Sequence, residues 1–249
     1  MNTYAKMDKT WEYCIKLYGM DRCIAICHHG SFNYELNLPE SDVDVKLFIA
    51  PTWDEVINYK QPLSKTIAGP YGDINVTDIR LFIGNNLKKQ NFNFLECLFT
   101  KYYCVNPAYT DLWSELIVHR EEIAHYKPEE ALRTMMGQVE NQWKRWGRFD
   151  DKKTFYHMAR IVRAIESYHI GRPFVKTLVP DDKDFIMRVR LGKVDQESME
   201  KIFKSLYTTA HMYADSEYTG KRYETIDYNL SQLQAQFTYR ALYELRCLE

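Results

Sequence analysis

One stretch, residues 23–49, constrains the fold of this chain more than any other. It holds two short apolar runs; the first ends in two histidines followed by Gly30 and Ser31, and the second is opened by Asp42 and Asp44. Short apolar runs bounded by turn residues are typical of buried strands. The stretch therefore predicts two strands of one sheet, with a glycine-serine turn after the first and two carboxylates at the start of the second.

The two carboxylates are predicted to share one face of the second strand. Side chains alternate along a strand, so Asp42 and Asp44 point to one side and Val43 to the other. Two carboxylates that lie close together raise each other's pKa unless a cation lies between them. A divalent metal supplies that cation in many enzymes, whereas charges on a strand can also serve only to protect a sheet edge. We expect a metal site.

The glycine-serine turn has the chemistry of a phosphate site. Gly30 has no Cβ, so a phosphate can approach the backbone, where N–H groups and the Ser31 hydroxyl can donate to it. Ten residues separate Ser31 from Asp42, which is room to bring the carboxylates back to that phosphate. Asp73 begins a third predicted strand and would complete a three-carboxylate cluster. Such a cluster with two metal ions is typical of in-line phosphoryl or nucleotidyl transfer.

Composition excludes several classes of protein. The 249 residues are 45% apolar and 27% charged, which is typical of a folded globular protein and not of a disordered one. The net charge of -1 means that a polyanionic partner would have to bind a local basic patch. The six cysteines lack paired spacing, and no apolar leader or membrane-length run is visible. We expect a soluble, reduced, cytoplasmic protein that does not enter a membrane.

Periodicity divides the chain into two parts. It predicts a helix over 3–19, a short helix over 51–58, a loop over 60–72, a strand over 73–77 and a helix capped by Asp78. From residue 127 onward helical patterns dominate, including 152–169 and 196–214. The expected fold class is α+β: a small mixed sheet flanked by helices in a domain of residues 1–125, followed by a helical domain of residues 126–249.

The spacing of the front motif resembles a known superfamily. A hydrophobic-Gly-Ser sequence, ten residues, and then Asp-hydrophobic-Asp-hydrophobic resemble the signature of the DNA polymerase β-type nucleotidyltransferases. GSFNYELNLPESDVDV is most similar to the branch known as RNA repair pathway, or RNA-ligase-associated, predicted nucleotidyltransferases. DINVTDIRLF at 73–82, NFNFLECLF at 91–99 and RLGKVDQESMEKI at 190–202 are similar to later segments of that branch. The resemblance covers roughly residues 20–205, and only its front motif is specific.

This resemblance implies a fold, an activity and a set of site residues. The implied fold is a polymerase β-like core, and the implied activity moves a nucleoside monophosphate from an NTP, with ATP expected, to an acceptor hydroxyl with release of pyrophosphate. The implied cofactor is Mg²⁺, or Mn²⁺ in its place, and the implied acceptor is an RNA or tRNA end. The resemblance assigns catalysis and metal binding to Asp42, Asp44 and Asp73. It assigns nucleotide or phosphate binding to Gly30, Ser31, Asn33, Tyr156, His157 and Arg160.

Other interpretations of these residues stay open. The family has valine-rich residues before the glycine, whereas this chain has Cys27, His28 and His29, which could bind phosphate or metal or be bystanders. Zinc is disfavoured because no second ligand pair of zinc-site spacing follows, so we expect buried free cysteines at Cys23 and Cys27. The stretch QWKRWGRF could stack bases and grip phosphates, but we favour an amphipathic helix with its tryptophans toward the core.

Two further functions remain as alternatives. A transferase of this class could act on a protein tyrosine or serine, as small antitoxin-like members of the superfamily do, and the nearly neutral charge mildly favours a protein or small-molecule acceptor over long RNA. A non-catalytic nucleotide or RNA sensor on a degenerate scaffold ranks last, since such proteins typically lose the carboxylates that this chain keeps.

Overall fold

A computed structural model describes residues 2–38, 41–223 and 225–244. It has the predicted α+β class, with one five-stranded mixed sheet flanked by helices. The strands are β1 (Cys23–His28), β2 (Val45–Ile49), β3 (Ser64–Ala68), β4 (Asp73–Asp78) and β5 (Tyr103–Val105), in the order β3-β4-β2-β1-β5. β1 is antiparallel to both β2 and β5, β3 is antiparallel to β4, and β2 runs parallel to β4.

Helices fill the remainder of the chain. In the front half these are α1 (Thr3–Tyr18), α2 (Trp53–Ile57), α3 (Ile79–Leu81) with a π-helical continuation (Phe82–Leu87), α4 (Phe92–Leu95) with a 3₁₀ turn (Glu96–Leu98), a 3₁₀ turn (Pro107–Tyr109), α5 (Thr110–Val118) and α6 (Arg120–His125). In the back half they are α7 (Pro128–Arg145), α8 (Asp151–His169), α9 (Phe174–Leu178), α10 (Lys183–Arg190), α11 (Gln196–Ala214), α12 (Ile226–Tyr239) and a π-helical turn (Arg240–Glu244).

The central strand β2 separates two apolar clusters. Val45 and Leu47 belong to a cluster that includes residues of α1, on one face of the sheet. Phe48 lies on the other face, where its ring stacks on Phe82 with centroids 3.9 Å apart. Because side chains alternate along a strand, Lys46 shares this second face with Phe48. The second face is the one that the helices of the back half cover.

The larger apolar cluster extends from the sheet into the helical half. It includes Ile24 of β1, Phe155 of α8 and Phe203 of α11. Helix α8 packs against α7, α10 and α11, and most of its residues are buried. The division near residue 125 coincides with the end of α6 and remains a prediction, since both halves contribute to this cluster.

Two predictions about strands are wrong in detail. The second strand was expected to begin with the aspartates, but β2 begins at Val45, and residues 41–44 form an extended segment that leads into it. The predicted loop over 60–72 contains the edge strand β3, which pairs with β4. β3 gave little signal because its residues are mostly exposed and polar, so neither an apolar run nor alternation marks them.

Other elements agree with the sequence. α1 and α11 cover the expected residues, and Thr52 closes a capping box with Glu55 at the start of α2. Asp78 caps α3 as predicted. Cys23 and Cys27 are buried and free, while Cys247 lies outside the described residues. Within the described ranges, no helix combines the length and apolarity that crossing a membrane requires.

Candidate active site

A cavity of about 640 Å³ lies between the helix-covered face of the sheet and α8 and α10. Its volume is in the range of small-molecule and cofactor sites. The front half contributes His29, Gly30, Ser31, Tyr34, Leu38, Ser41, Asp42, Asp44, Lys46, Asn93 and Glu96. The back half contributes Asp150, Lys152, Lys153, Tyr156, His157, Arg160 and Arg190. Residues more than a hundred positions apart therefore face the same space.

The glycine-serine turn forms one edge of this cavity. Gly30 has a φ of 84°, which favours glycine, and a Cβ built there would meet no atom within 4 Å. The space beside the Gly30 backbone is therefore open to a ligand. Asn33 lies behind this edge, where its amide donates to the His28 carbonyl over 3.2 Å. The nucleotide contact expected of Asn33 stays a prediction.

The two aspartates lie side by side on the cavity wall. Asp42 and Asp44 both line the cavity, while Val43 between them is buried in the α1-side cluster, as the alternation predicts. The Asp73 backbone N–H donates to Asp44 Oδ1 over 3.0 Å, so the start of β4 adjoins the pair. Burial, and next the charges of Asp73 and Asp42, raise the pKa of Asp44 despite that hydrogen bond.

Gly72 lies directly against Val43 and Asp44. A Cβ at Gly72 would come within 2.7 Å of the Val43 carbonyl oxygen and 2.9 Å of Asp44 Oδ1. The Val43 N–H donates to the Tyr71 carbonyl over 2.9 Å in the same turn. The turn between β3 and β4 therefore fixes where the Asp44 carboxylate lies.

The donor set fits a magnesium ion that is shared with phosphate oxygens. Among residues 2–38, 41–223 and 225–244, no three His, Cys, Asp or Glu side chains are grouped as a metal site, so the three-carboxylate site stays a prediction. Mg²⁺ is commonly held by one or two carboxylates, with waters and substrate phosphates as its remaining ligands. Asp42 and Asp44 supply such a pair, and a cation would relieve the repulsion that raises the pKa of Asp44.

The first turns of α8 form the opposite wall. Asp150 caps the helix by accepting from the Lys153 N–H over 3.1 Å. Tyr156, His157 and Arg160 follow at helical spacing and all line the cavity. Burial, and next the nearby Arg160 guanidinium, lower the pKa of His157 to about 3, so its imidazole is neutral near pH 7.

The inner end of the cavity is built by buried charged residues that the sequence interpretation did not single out. Lys46 and Glu96 line it and are 6% and 1% exposed. The Tyr34 hydroxyl donates to the Glu96 carboxylate, and the Lys46 ammonium lies 4.5 Å from the centroid of the Phe94 ring. Burial raises the pKa of Glu96, although Arg160 and Tyr34 oppose the rise. The sequence signal that could have identified them is a charged residue inside an apolar run: Lys46 in VKLFI and Glu96 in FLECLF.

Arg190 of α10 connects the two walls. Its guanidinium donates to the Leu36 carbonyl and, over 3.5 Å, to Ser41 Oγ. It also lies 4.8 Å from the centroid of the Tyr156 ring. Leu36 and Ser41, which lie between the glycine-serine turn and the aspartates, are therefore both bonded to the helical half.

The two histidines before Gly30 differ in position. His28 is fully buried between the rings of Phe32 and Tyr102, neither of its ring nitrogens has a hydrogen-bond partner, and burial lowers its pKa to about 4. His29 lines the cavity, and burial followed by the charge of Lys46 holds its pKa well below the usual range. Both imidazoles are therefore neutral near pH 7.

The tryptophans of QWKRWGRF stack on rings of α11, but only Trp146 packs against the core as the preferred interpretation predicts, since Trp143 is 38% exposed. Trp143 stacks on Tyr207 with centroids 4.1 Å apart, and Trp146 stacks on Phe203 at 4.0 Å. Both rings therefore already stack on aromatic side chains within the protein. Lys152 and Lys153, which line the cavity from the start of α8, are exposed basic residues outside this stretch.

Comparisons with known proteins add no relative to this picture. No family model matches the sequence, and no curated protein shows significant similarity to it.

Proposed function

We propose that this protein is a metal-dependent nucleotidyltransferase that moves a nucleoside monophosphate from an NTP to an acceptor hydroxyl. One observation carries the proposal. The glycine-serine turn, both aspartates of the front motif, and Tyr156, His157 and Arg160 of α8 all face one cavity. The family resemblance assigns these residues to one site, and the size of the cavity suits a nucleotide.

Each wall has a task in this reaction. The open space beside Gly30 admits the phosphates, and the Ser31 hydroxyl lies at the same edge to donate to them. Asp42 and Asp44 would hold Mg²⁺ together with phosphate oxygens. When bound, the ion supplies charge neutralisation at those oxygens and lowers the pKa of a coordinated hydroxyl. Arg160, a permanent cation, would stabilise negative charge on the phosphate tail.

The reaction needs only the NTP and the acceptor hydroxyl as reactants. The acceptor oxygen forms a bond to the α-phosphorus, the bond from the α-phosphorus to the bridging oxygen breaks, and pyrophosphate leaves. The acceptor loses its proton in this step. Asp73, exposed and beside Asp44, is the carboxylate that we expect to accept it.

We propose an RNA end as the acceptor. Lys152 and Lys153 are exposed at the start of α8 and line the cavity, so a polyanion would find two cations at its entrance. With a net charge of -1, the whole chain has no general attraction for polyanions, and such a local patch is what binding requires. A protein hydroxyl is the competing acceptor.

The test is transfer of label from α-labelled NTPs in the presence of Mg²⁺, with total RNA or a protein extract as acceptor. The wild type is expected to label RNA, and the double variant Asp42→Asn with Asp44→Asn is expected to label nothing. A matched control, Asp8→Asn with Asp215→Asn, removes the same charge at exposed positions and should retain transfer.

The outcomes separate the alternatives. Label on protein instead of RNA would keep the reaction class and replace the acceptor. Equal transfer by the wild type and the Asp42–Asp44 double variant would overturn the assignment of both aspartates. Absence of transfer by the wild type to any acceptor would overturn the transferase.

A further inference from the structure

Two cationic side chains are buried at the inner end of the cavity. Lys46 is 6% exposed and Arg160 is 7% exposed, and both line the cavity. Within the described part of the chain, neither forms an ion pair, and Nε and Nη1 of Arg160 have no hydrogen-bond partner. Buried cations and buried N–H donors that remain unpaired are costly, so they indicate an acceptor that binds there.

Aromatic rings keep these cations in place. The Arg160 guanidinium lies 4.0 Å from the Tyr34 ring centroid and 5.8 Å from that of Phe92, while Lys46 lies over Phe94. Cation–π contacts hold a charge without using its N–H donors. The donors of both residues therefore remain available to a ligand.

Glu96 is an opposing charge that lies close enough to act on both cations. It feels both cations, since Arg160 and Lys46 each act to lower its pKa. Its carboxylate already accepts from the Tyr34 hydroxyl, and His29 Nδ1 lies 3.8 Å from its other oxygen. With His29 neutral, two cations and one carboxylate leave a net positive charge at this end, which favours an anionic ligand.

We propose that Lys46 and Arg160 form an oligophosphate subsite that binds pyrophosphate or the phosphate tail of a nucleotide without a divalent metal, with Glu96 as the competing counter-charge. The proposal deepens the proposed function but does not depend on transfer, because binding alone is claimed. It assigns ligand binding to Lys46. Because side chains alternate along an extended chain, Lys46 lies on the same face as Asp42 and Asp44.

The test is calorimetry with inorganic pyrophosphate in excess EDTA, with sulfate at matched ionic strength as the reference anion. Lys46→Met keeps the length of the side chain and removes its charge, and we expect binding to weaken at least about tenfold, as for the loss of a charged hydrogen bond. Lys65→Met is the matched control, since Lys65 is an exposed strand lysine on β3, and it should bind like the wild type.

Glu96→Gln is expected to change pyrophosphate binding in the opposite direction. A variant that binds more tightly cannot owe its effect to loss of the fold. Removing the counter-charge should tighten pyrophosphate binding several-fold, whereas a merely structural role for Glu96 would weaken it. Wild-type binding no stronger than that of sulfate would overturn the subsite, as would Lys46→Met binding equal to the wild type. Comparing ATP with tripolyphosphate tells the two sources apart: tighter ATP binding indicates a nucleotide, and equal binding indicates a free oligophosphate.

Failure of this subsite and failure of the transferase can be told apart. Metal-free pyrophosphate binding without any transfer would leave the subsite standing and remove the transferase. Transfer in Mg²⁺ without binding in EDTA would do the reverse.

Discussion

The two ends of the cavity hold opposite charges for different reasons. At the outer end Asp42 and Asp44 lie with Asp73 beside them, and burial, followed by the charges of Asp73 and Asp42, raises the pKa of Asp44. At the inner end Lys46 and Arg160 are more deeply buried, and aromatic rings hold them in place. Under the proposed function, a metal ion would bind at the outer end and the phosphates at the inner end, so one metal-nucleotide complex would contact both.

The largest effect is expected from removing one carboxylate at the outer end, which tests whether the two ends act separately. Asp44→Asn should lower the transfer rate by roughly a thousandfold or more, because a metal-binding carboxylate and its charge are lost. Pyrophosphate binding in EDTA should be unchanged or tighter, since a nearby negative charge disappears. Parallel loss of transfer and of metal-free binding would show that the two ends do not act separately.

A smaller perturbation moves the outer end without removing any charge. Gly72→Ala places a methyl group against the Val43 carbonyl and Asp44 Oδ1, so the Asp44 carboxylate must shift. Misplacement of a catalytic group by about 1 Å can cost on the order of a hundredfold in rate, and we expect a loss of that order in transfer. Gly137→Ala in α7 is the control, because a Cβ there meets nothing within 4 Å.

The control should behave in the opposite sense on stability. An alanine inside a helix is favoured over glycine by roughly 0.5–1 kcal/mol, so Gly137→Ala should unfold at slightly higher urea concentration and retain full transfer. If Gly72→Ala also retained full transfer, the turn between β3 and β4 would have no part in positioning Asp44.

The buried histidine at the end of β1, His28, should make stability depend on pH. Burial lowers the pKa of His28 to about 4, below its usual 6.5, so the folded state favours the neutral imidazole. His28 therefore contributes stability above pH 6.5, and that contribution is lost as the pH falls from 6.5 toward 4. From the size of this shift we expect a loss on the order of 2 kcal/mol between pH 7 and pH 5.

Urea unfolding midpoints measured across this pH range check the expectation. His28→Phe keeps an aromatic ring between Phe32 and Tyr102 and removes the titration, so its midpoint should fall less steeply with pH. Equal slopes for the variant and the wild type would remove His28 as the source. His29 and His157, whose pKa values are also lowered, would then account for the remaining slope.

The sequence predicts best those features whose signal lies within one short stretch of the chain. The positions of Gly30, Ser31, Asp42 and Asp44 follow from spacing within one stretch, and strand alternation gives the shared side of the aspartates even though β2 begins only at Val45. Nothing in local periodicity says that α8 lies opposite this stretch. That expectation came from a resemblance; Tyr156, His157 and Arg160 line the same cavity as Gly30 and Asp42, and their roles there stay predictions.

The inner end was missed for a physical reason. Lys46 and Glu96 each interrupt an apolar run, and a single charge in such a run also fits a strand or helix edge that faces water. Only the packing of Phe94 and Tyr34 around them makes them buried charged residues of a site. The strand β3 escaped prediction for the opposite reason, since its exposed polar residues carry no core signal.

The smallest expected effect concerns how the helical half holds the sheet half. Arg190→Ala removes the donor to the Leu36 carbonyl and to Ser41 Oγ, which lie in the segment between the glycine-serine turn and the aspartates. We expect the KM for NTP to rise by about tenfold with a smaller change in kcat, because binding geometry and not chemistry is loosened. Hydrogen exchange at the Leu36 and Leu38 amides should also become faster, since both amides bond within this segment.

Arg188→Ala is the matched control for this effect, because Arg188 is an exposed arginine on the same helix, and it should leave both readouts unchanged. Arg190→Lys should restore part of the KM, because a lysine keeps the charge but cannot reproduce the planar fork that reaches two acceptors. If Arg190→Ala matched Arg188→Ala in both the KM for NTP and the rate of hydrogen exchange, the helical half would have no part in holding the outer end, and the sheet alone would hold it. The β3–β4 turn at Gly72 would then be the remaining support of Asp44, and the two ends of the cavity would differ in support as well as in charge.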